Sequence, residues 1–309
     1  MSNLFIIGNG FDIAHCLPTK YEDFHKYLLE NYLIGDASFD INSTITPDGG
    51  EDFDTNELVT FLNHLVSETE KDGENWCDFE ANLGRLNFDV YFDEMTYLYD
   101  EEEPYRQAYI YEDVAENFLK ATLKIKDLFF EWVSIIDISE APFKESFYNL
   151  IDPERDIFMT FNYTYVLEEI YDADNVEHIH GKQGEYTIIG HGDTGREFQS
   201  YPLGTEWSLS QLYDSLRKNT DEVIKNKNQF FDGLRYIKNI YSYGFSFSEV
   251  DLPYIKEICR RIDTKKKIWY LSDFDCHRIR KKHEKKIRQC GFEGEFKVFS
   301  ITETHLEGC

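Results

Sequence analysis

The sequence predicts an α/β fold with a doubly wound, mainly parallel sheet and a helical insertion. Short apolar runs of strand length recur along the chain, and most of them are followed by a glycine or polar residue and then by a helical pattern. The first run, Leu4–Ile7, has four consecutive apolar residues, which is typical of a central strand covered on both faces. No Pro-, Ser- or Gly-rich linker divides the 309 residues, so we expect a single α/β unit over residues 1–309.

A glycine loop follows the first strand, with the sequence Gly8-Asn9-Gly10-Phe11-Asp12. Glycine permits a sharp turn and lets a bulky anion approach the backbone, because no Cβ is in the way. A phosphate group needs this access. Thr19 and Glu22 then have the spacing of a capping box, which predicts that a helix begins beside Thr19.

Residues 35–150 are predicted to form a mainly helical insertion within the α/β unit. Residues 34–54 are rich in Gly, Asp, Ser, Thr and Pro, which is typical of a mobile surface loop. From residue 56 to residue 132, apolar side chains recur at helical spacing. They include Leu58, Phe61, Leu62, Leu65, Phe79, Leu83, Leu86, Phe118, Leu128, Phe129 and Trp132.

Strand-like runs return in the second half of the chain, and helical segments separate most of them. This alternation is typical of parallel strands joined by crossover helices. The predicted strands are Asp156–Phe161, Val176–Gly181, Asn239–Gly244, Lys267–Ser272 and Phe296–Phe299.

Small or polar residues stand at the ends of four predicted strands: Gly8, Asn162, Gly181 and Gly244. In an open parallel sheet, the ligand lies beyond the carboxyl ends of the strands. We therefore expect these residues to converge on one crevice.

The chain is strongly acidic, with a formal net charge of -27. This charge argues against general affinity for nucleic acid or for an anionic membrane, because both depend on lysine and arginine. The charge is unevenly distributed, since residues 89–116 are acidic and residues 256–288 are basic. Solvated faces explain both segments, and the alternatives are charge pairing between protomers or a local site for phosphate or nucleic acid.

Cysteine and apolar patterns limit the other classes of site. The six cysteines form no C-x-x-C pair, so neither a disulfide framework nor a metal site is predicted. No stretch approaches the roughly 20 apolar residues of a membrane helix, and Met1-Ser2-Asn3 is not a basic signal-peptide start. We therefore expect a cytoplasmic protein without a membrane partner.

The ordered motifs resemble those of a known family. Gly8-Asn9-Gly10 followed by Leu17-Pro18, then Phe161-Asn162-Tyr163-Thr164, His180-Gly181 and Gly244-Phe245-Ser246, resemble the elements of sirtuin-like NAD-binding domains of the Rossmann type. With Trp76-x-x-Phe79-Glu80 and Leu271-Ser272-Asp273-Phe274-Asp275, the whole series resembles the AbiH family of bacterial abortive phage infection proteins.

This resemblance implies roles for individual residues. Asn162 holds a ribose hydroxyl or a water molecule, and His180 serves as general base, because histidine titrates near neutral pH. A turn-forming role for Asn162 and a structural role for His180 stay open, and His191 is an exposed-loop candidate that could replace His180. The predicted catalytic residues are Asn162 and His180, and the predicted nucleotide-binding residues are Gly8, Asn9, Gly10, Phe11, Asp12, Tyr163, Thr164, Gly244 and Ser246.

The function that the resemblance implies is phage defence through NAD or a related nucleotide, with hydrolysis of NAD to nicotinamide and ADP-ribose as the expected reaction. Thr164 stands where the sirtuin pattern has an Asp that holds the nicotinamide amide, and the sirtuin zinc module is missing from the sequence. One alternative is a non-catalytic nucleotide sensor that acts through a homo-oligomer or a partner in the defence system. A nuclease-like toxin that uses the basic residues 256–288 is the second alternative.

Overall fold

The computed structural model describes residues 2–35, 41, 43–47, 50–70, 76, 78–96, 104–198 and 200–301. The chain divides into two compact units, each built from several segments. The sheet unit comprises Met1–Thr19, Val133–Ile188 and Asn219–Cys309, and the helical unit comprises Lys20–Trp132 and Ile189–Lys218.

The strands of the described residues are, in chain order, β1 (Leu4–Ile7), β2 (Ser43–Ile45), β3 (Glu51–Phe53), β4 (Ile157–Thr160), β5 (Val176–His178), β6 (Ile240–Tyr243), β7 (Ile268–Ser272) and β8 (Glu295–Phe299). The helices are α1 (Gly10–Ala14), α2 (Tyr21–Asn31), α3 (Thr55–Ser67), α4 (Phe79–Leu83), α5 (Asp89–Thr96), α6 (Pro104–Leu123), α7 (Ile125–Ser134), α8 (Glu145–Tyr148), α9 (Val166–Tyr171), α10 (Glu206–Ser215), α11 (Thr220–Asn226), α12 (Asn228–Gly233), α13 (Leu252–Arg261) and α14 (His277–Gln289). Two 3₁₀ turns cover Leu234–Tyr236 and Thr264–Lys266.

The sheet unit contains a six-stranded sheet in the order β5-β4-β1-β6-β7-β8. All neighbouring strands in it are parallel. The chain builds outwards from β1 to β4 and β5, and then returns to the other side of β1 to add β6, β7 and β8. This is the doubly wound arrangement of Rossmann-like folds, and the direction reverses between β1 and β6. The predicted fold class is therefore confirmed.

Strand β1 lies at the centre of the core because its side chains alternate between the two faces of the sheet. Leu4 and Ile6 belong to one apolar cluster, which also contains residues of α12, α13 and α14. Phe5 and Ile7 belong to the other, which also contains residues of α8 and α9. All four side chains are completely buried, as the uninterrupted apolar run predicts.

Helices form most of the helical unit, but part of the predicted surface loop in residues 34–54 is strand. Strands β2 and β3 pair antiparallel, with Ser43 opposite Phe53 and Ile45 opposite Glu51. Phe53 is buried, which gives this short hairpin an apolar anchor. The prediction of a loop is therefore wrong for the residues of β2 and β3.

Two further local predictions need correction. The N-cap of α2 is Lys20 rather than Thr19, and the carboxylate of Asp23 accepts the Lys20 backbone N–H at 2.9 Å. Only the reciprocal bond of a capping box is therefore present, one residue later than predicted, because a lysine side chain cannot accept a hydrogen bond. Cys16 is disulfide-bonded, although the scattered cysteines gave no sign of a disulfide.

Within the described part of the chain, every helix is too short or too polar to cross a membrane.

Candidate functional site

The loops after β1 and β6 pack against each other where the winding direction reverses. The Gly8 N–H donates to the Tyr243 carbonyl oxygen at 3.1 Å, and the Gly10 N–H donates to the Gly244 carbonyl oxygen at 3.0 Å. A Cβ on Gly8 would lie 2.6 Å from the Gly244 oxygen, and one on Gly10 would lie 2.7 Å from the Gly244 Cα. These glycines are therefore required because two backbones approach each other closely.

The same contacts limit how the glycine loop can bind an anion. The N–H groups of Gly8 and Gly10 already donate to the carbonyl oxygens of Tyr243 and Gly244. The Phe11 N–H donates to the Gly8 carbonyl oxygen at 2.9 Å. A pyrophosphate at this loop would have to bind through other groups.

Asp12 is a buried acidic residue beside these loops. It lies on α1 and is 1% exposed. Its two carboxylate oxygens accept hydrogen bonds from Asn162 Nδ2 at 2.6 Å and from Thr164 Oγ1 at 2.7 Å. Burial raises the pKa of Asp12 to about 7, because desolvation of the charged form outweighs the stabilisation from these two donors.

Asn162 follows β4, and its side chain has a fixed orientation. Since Nδ2 donates to Asp12, the carboxamide oxygen Oδ1 must face the other way. This oxygen is buried and accepts no hydrogen bond within the part of the chain that the structure describes. Buried polar atoms nearly always have a partner, so Oδ1 is a candidate acceptor for a donor on a ligand.

His178 and Glu168 extend the network around Asn162. His178 Nδ1 lies 2.9 Å from the Asn162 carbonyl oxygen, and its Nε2 lies 2.8 Å from Glu168 Oε1. Each ring nitrogen of His178 therefore faces an oxygen acceptor. The sequence pattern favours His180 over His178, because the two alternate along the strand and Gly181 places His180 at the strand end, and it gives no signal for Glu168.

His180 lies in a different environment. It follows the end of β5, is 3% exposed, and packs edge-on against Phe161 and Tyr254. Its Nε2 lies 3.6 Å from Asp251 Oδ1. The side-chain and backbone hydrogen bonds of Asn162 go to other residues, so the predicted catalytic pair is not joined by a hydrogen bond.

The other predicted binding residues are placed as follows. Asn9 is exposed, and its Nδ2 donates to the Thr19 carbonyl oxygen at 2.8 Å. The Phe11 ring lies in the core against Phe147, and its backbone N–H and carbonyl oxygen already bond to Gly8 and His15. Tyr163 donates its hydroxyl to the Ile188 carbonyl oxygen at 3.1 Å. Ser246 is exposed beyond the close-packed Gly244.

The alternative base His191 belongs to the helical unit and is 1% exposed. Its Nε2 lies 2.9 Å from the Tyr213 carbonyl oxygen. The expectation of an exposed loop histidine is therefore wrong, because a ring packed against Tyr213 fills the core there.

Within the described residues, no group of three or more His, Cys, Asp or Glu side chains could hold a metal ion. The helical unit has an open cleft of about 690 Å³, lined by Gly84, Arg85, Gly192, Asp193, Thr194, Gly195, Arg196 and Tyr213. The predicted site residues do not line this cleft.

The fold and these side chains define a doubly wound α/β protein with a buried polar network at the carboxyl edge of its sheet. The family model described as "Bacteriophage abortive infection AbiH" matches residues 4–273. The chain therefore belongs to the AbiH family. No curated protein and no solved structure matches it.

Proposed function

We propose that this protein binds NAD or a related nucleotide at the carboxyl edge of the sheet and hydrolyses NAD to nicotinamide and ADP-ribose in the cytoplasm of the infected cell. The observation that carries the proposal is the buried Asp12 carboxylate. It accepts a hydrogen bond from Asn162 Nδ2, which leaves the Oδ1 atom of Asn162 as an acceptor without a donor among the residues that the structure describes. Both residues follow strands that are neighbours in the sheet, beside the point where the winding reverses.

The chemistry of the reaction fits this pair. The nicotinamide–ribose bond breaks through a cationic, oxocarbenium-like sugar, and a fixed negative charge in a water-poor site favours such a cation. In the proposed role, the ionised form of Asp12, about half of the molecules at a pH equal to its pKa of about 7, supplies that charge. Asn162 Oδ1 accepts a hydrogen bond from a ribose hydroxyl or from the attacking water. Thr164 takes the position of the Asp in the sirtuin pattern, and the Asp12 carboxylate is bonded to its hydroxyl.

Two groups compete for the role of general base. We retain His180, because the nearby Asp251 carboxylate can orient the imidazole ring. Asp12 is the second candidate, since a carboxyl group with a pKa of about 7 can accept a proton at neutral pH. Because Asp12→Asn also removes the proposed charge, the dependence of kcat on pH separates the two candidates. A fall in kcat at acid pH that disappears in His180→Ala and persists in Asp12→Asn assigns the base to His180, and the reverse result assigns it to Asp12.

Nicotinamide release from NAD by the purified protein tests the proposal, alone and in extracts of phage-infected cells. We expect Asn162→Ala to lower kcat by at least about 100-fold, as for loss of one positioned polar group in other active sites. Asn175→Ala is the matched control, because this asparagine is exposed and lies outside the network. Intact NAD under every condition, or equal turnover in Asn162→Ala and the control, refutes hydrolysis at this site.

A nucleotide sensor without turnover is the second candidate. It is favoured by the enclosure of the network, since Asn162 is 5% exposed and His180 is 3% exposed. Binding of NAD that then survives intact supports this candidate. A nuclease-like toxin has less support, because the described residues form no carboxylate cluster for a metal.

A further inference from the structure

Helix α14 carries a row of exposed cations. Arg278, Lys281, Lys282 and Lys285 are spaced i, i+3, i+4 and i+7, so they lie on one face of the helix. All four are exposed, whereas the buried residues of this helix, His283 and Ile287, lie on the opposite face. We call these four residues the basic stripe.

Most of the basic stripe has no countercharge in its own chain. Lys281 pairs with Glu284 at 2.6 Å. Arg278, Lys282 and Lys285 make no ion pair with any residue that the structure describes. Three cations on one helix face, in a chain with a formal net charge of -27, form a local exception to the acidic surface.

Helix α6 carries an acidic counterpart with the same spacing. Tyr109, Glu112, Asp113 and Glu116 are also spaced i, i+3, i+4 and i+7, and all four are exposed. Tyr111, Ala115 and Phe118 are buried on the opposite face of the helix. We call the four exposed residues the acidic stripe.

The acidic stripe is also largely unpaired. Glu116 pairs with Lys120 at 2.8 Å. Among the described residues, Glu112 and Asp113 have no cationic partner.

We propose that the basic stripe of one copy docks on the acidic stripe of a second copy. In a parallel alignment the three lysines face the three carboxylates, and the Arg278 guanidinium faces the Tyr109 ring, where a cation–π contact adds attraction. A second copy suits the basic stripe because it presents carboxylates at the matching i, i+3, i+4 and i+7 spacing, and these local contacts must outweigh the repulsion between two chains of net charge -27.

The proposed contact is heterologous, since it joins two different surfaces. Repetition of such a contact closes into a ring or continues as a filament. Exposed ion pairs contribute little individually and are screened by salt, so the association should be weak and should depend on ionic strength.

Sedimentation velocity over a concentration series tests this proposal. At an ionic strength of about 0.1 M we expect the mean sedimentation coefficient to rise with concentration, because a Debye length of about 10 Å screens the repulsion between two acidic chains more than it screens charges in contact. At about 1 M, where the Debye length is about 3 Å, we expect a monomer. Lys282→Glu with Lys285→Glu should weaken association roughly tenfold, and so should Asp113→Lys with Glu116→Lys, which replaces the two facing carboxylates. The chain with all four substitutions should recover association.

The matched control is Lys265→Glu with Lys266→Glu. It makes the same change in net charge at two exposed lysines outside the stripe. We expect it to associate like the wild type. A chain that stays monomeric at the lower ionic strength, a control that weakens association as much as the stripe variant, or a fourfold variant that does not recover, overturns the proposal. Binding of a short DNA duplex that requires Lys282 and Lys285 in a monomeric chain would assign α14 to nucleic acid instead.

Discussion

Replacing Asp12 by asparagine should change how the stability of this protein depends on pH. Burial raises the pKa of Asp12 from 3.8 to about 7 in the folded chain. A carboxyl group with a raised pKa contributes stability that is fully present below the unfolded value, and this stability is lost as the pH rises through the folded value. Asparagine has a similar shape and does not titrate, so the variant should lack this loss.

The magnitude follows from the two pKa values. One pKa unit corresponds to about 1.4 kcal/mol, so ionisation of Asp12 should cost the wild type roughly 4 kcal/mol in total between acid and alkaline conditions. Roughly 2 kcal/mol of this cost should appear between pH of about 5.5 and about 8.5. The lower limit avoids the isoelectric region near 4.6, where an acidic protein loses solubility.

Urea unfolding of both proteins at a series of pH values measures this effect. The difference in unfolding free energy between wild type and Asp12→Asn isolates Asp12, because all other titrating groups are shared. Asn175→Ala is a control at an exposed position where neither residue titrates, and it should give a difference that does not vary with pH. A constant difference for Asp12→Asn as well would show that Asp12 stays ionised in the fold, and would refute the reasoning.

Two further predictions concern the surroundings of the site, and urea unfolding checks both. Gly244→Ala should destabilise the chain by at least about 2 kcal/mol, because the residue has φ of +65° and a Cβ would lie 2.4 Å from a backbone nitrogen. Gly233→Ala is the control: its Cβ would meet no atom within 4 Å, and it should change stability by at most about 1 kcal/mol. Equal effects would contradict the close packing of the two loops. Glu168→Gln should lower the free energy of unfolding by roughly 2 kcal/mol, because His178 loses its carboxylate acceptor. Glu169→Gln changes an exposed neighbour and should leave stability unchanged. Equal losses in the two variants would show that the contact between His178 and Glu168 does not stabilise the fold.

The central strand of the fold could be predicted from the sequence because one local pattern decides it. Four consecutive apolar residues in Leu4–Ile7 leave no polar face, and the structure buries both faces. The order of the strands in the sheet could not be predicted in the same way. Placing β6 beside β1 depends on packing between segments more than 200 residues apart, as in the pairing of Leu4 with Ile240.

The glycine loop shows a second limit. The sequence shows that Gly8 and Gly10 tolerate a close approach, but it does not show what approaches. In the fold, the approaching group is the backbone around Gly244. A phosphate would favour the same residues, so the pattern alone cannot separate the two causes.

The polar network was predicted in part. Asn162, Thr164 and Asp12 were chosen as binding or catalytic residues, and hydrogen bonds join all three. His178 was passed over in favour of His180, because a strand pattern predicts only that the two side chains differ in direction. Which of them meets Asn162 depends on the position of Glu168 and Asp251, which local periodicity does not contain.

The most direct measurement of the central claim is a calorimetric titration with ADP-ribose, which keeps the adenosine, pyrophosphate and second ribose of NAD but has no nicotinamide bond to cleave. We predict that the wild type and Asn175→Ala bind it alike. Asn162→Ala should bind at least about tenfold more weakly, because a buried acceptor for the ligand is lost. Urea unfolding confirms that each variant is folded. Absence of binding by the wild type, or equal affinity in Asn162→Ala, would contradict a nucleotide site at this network.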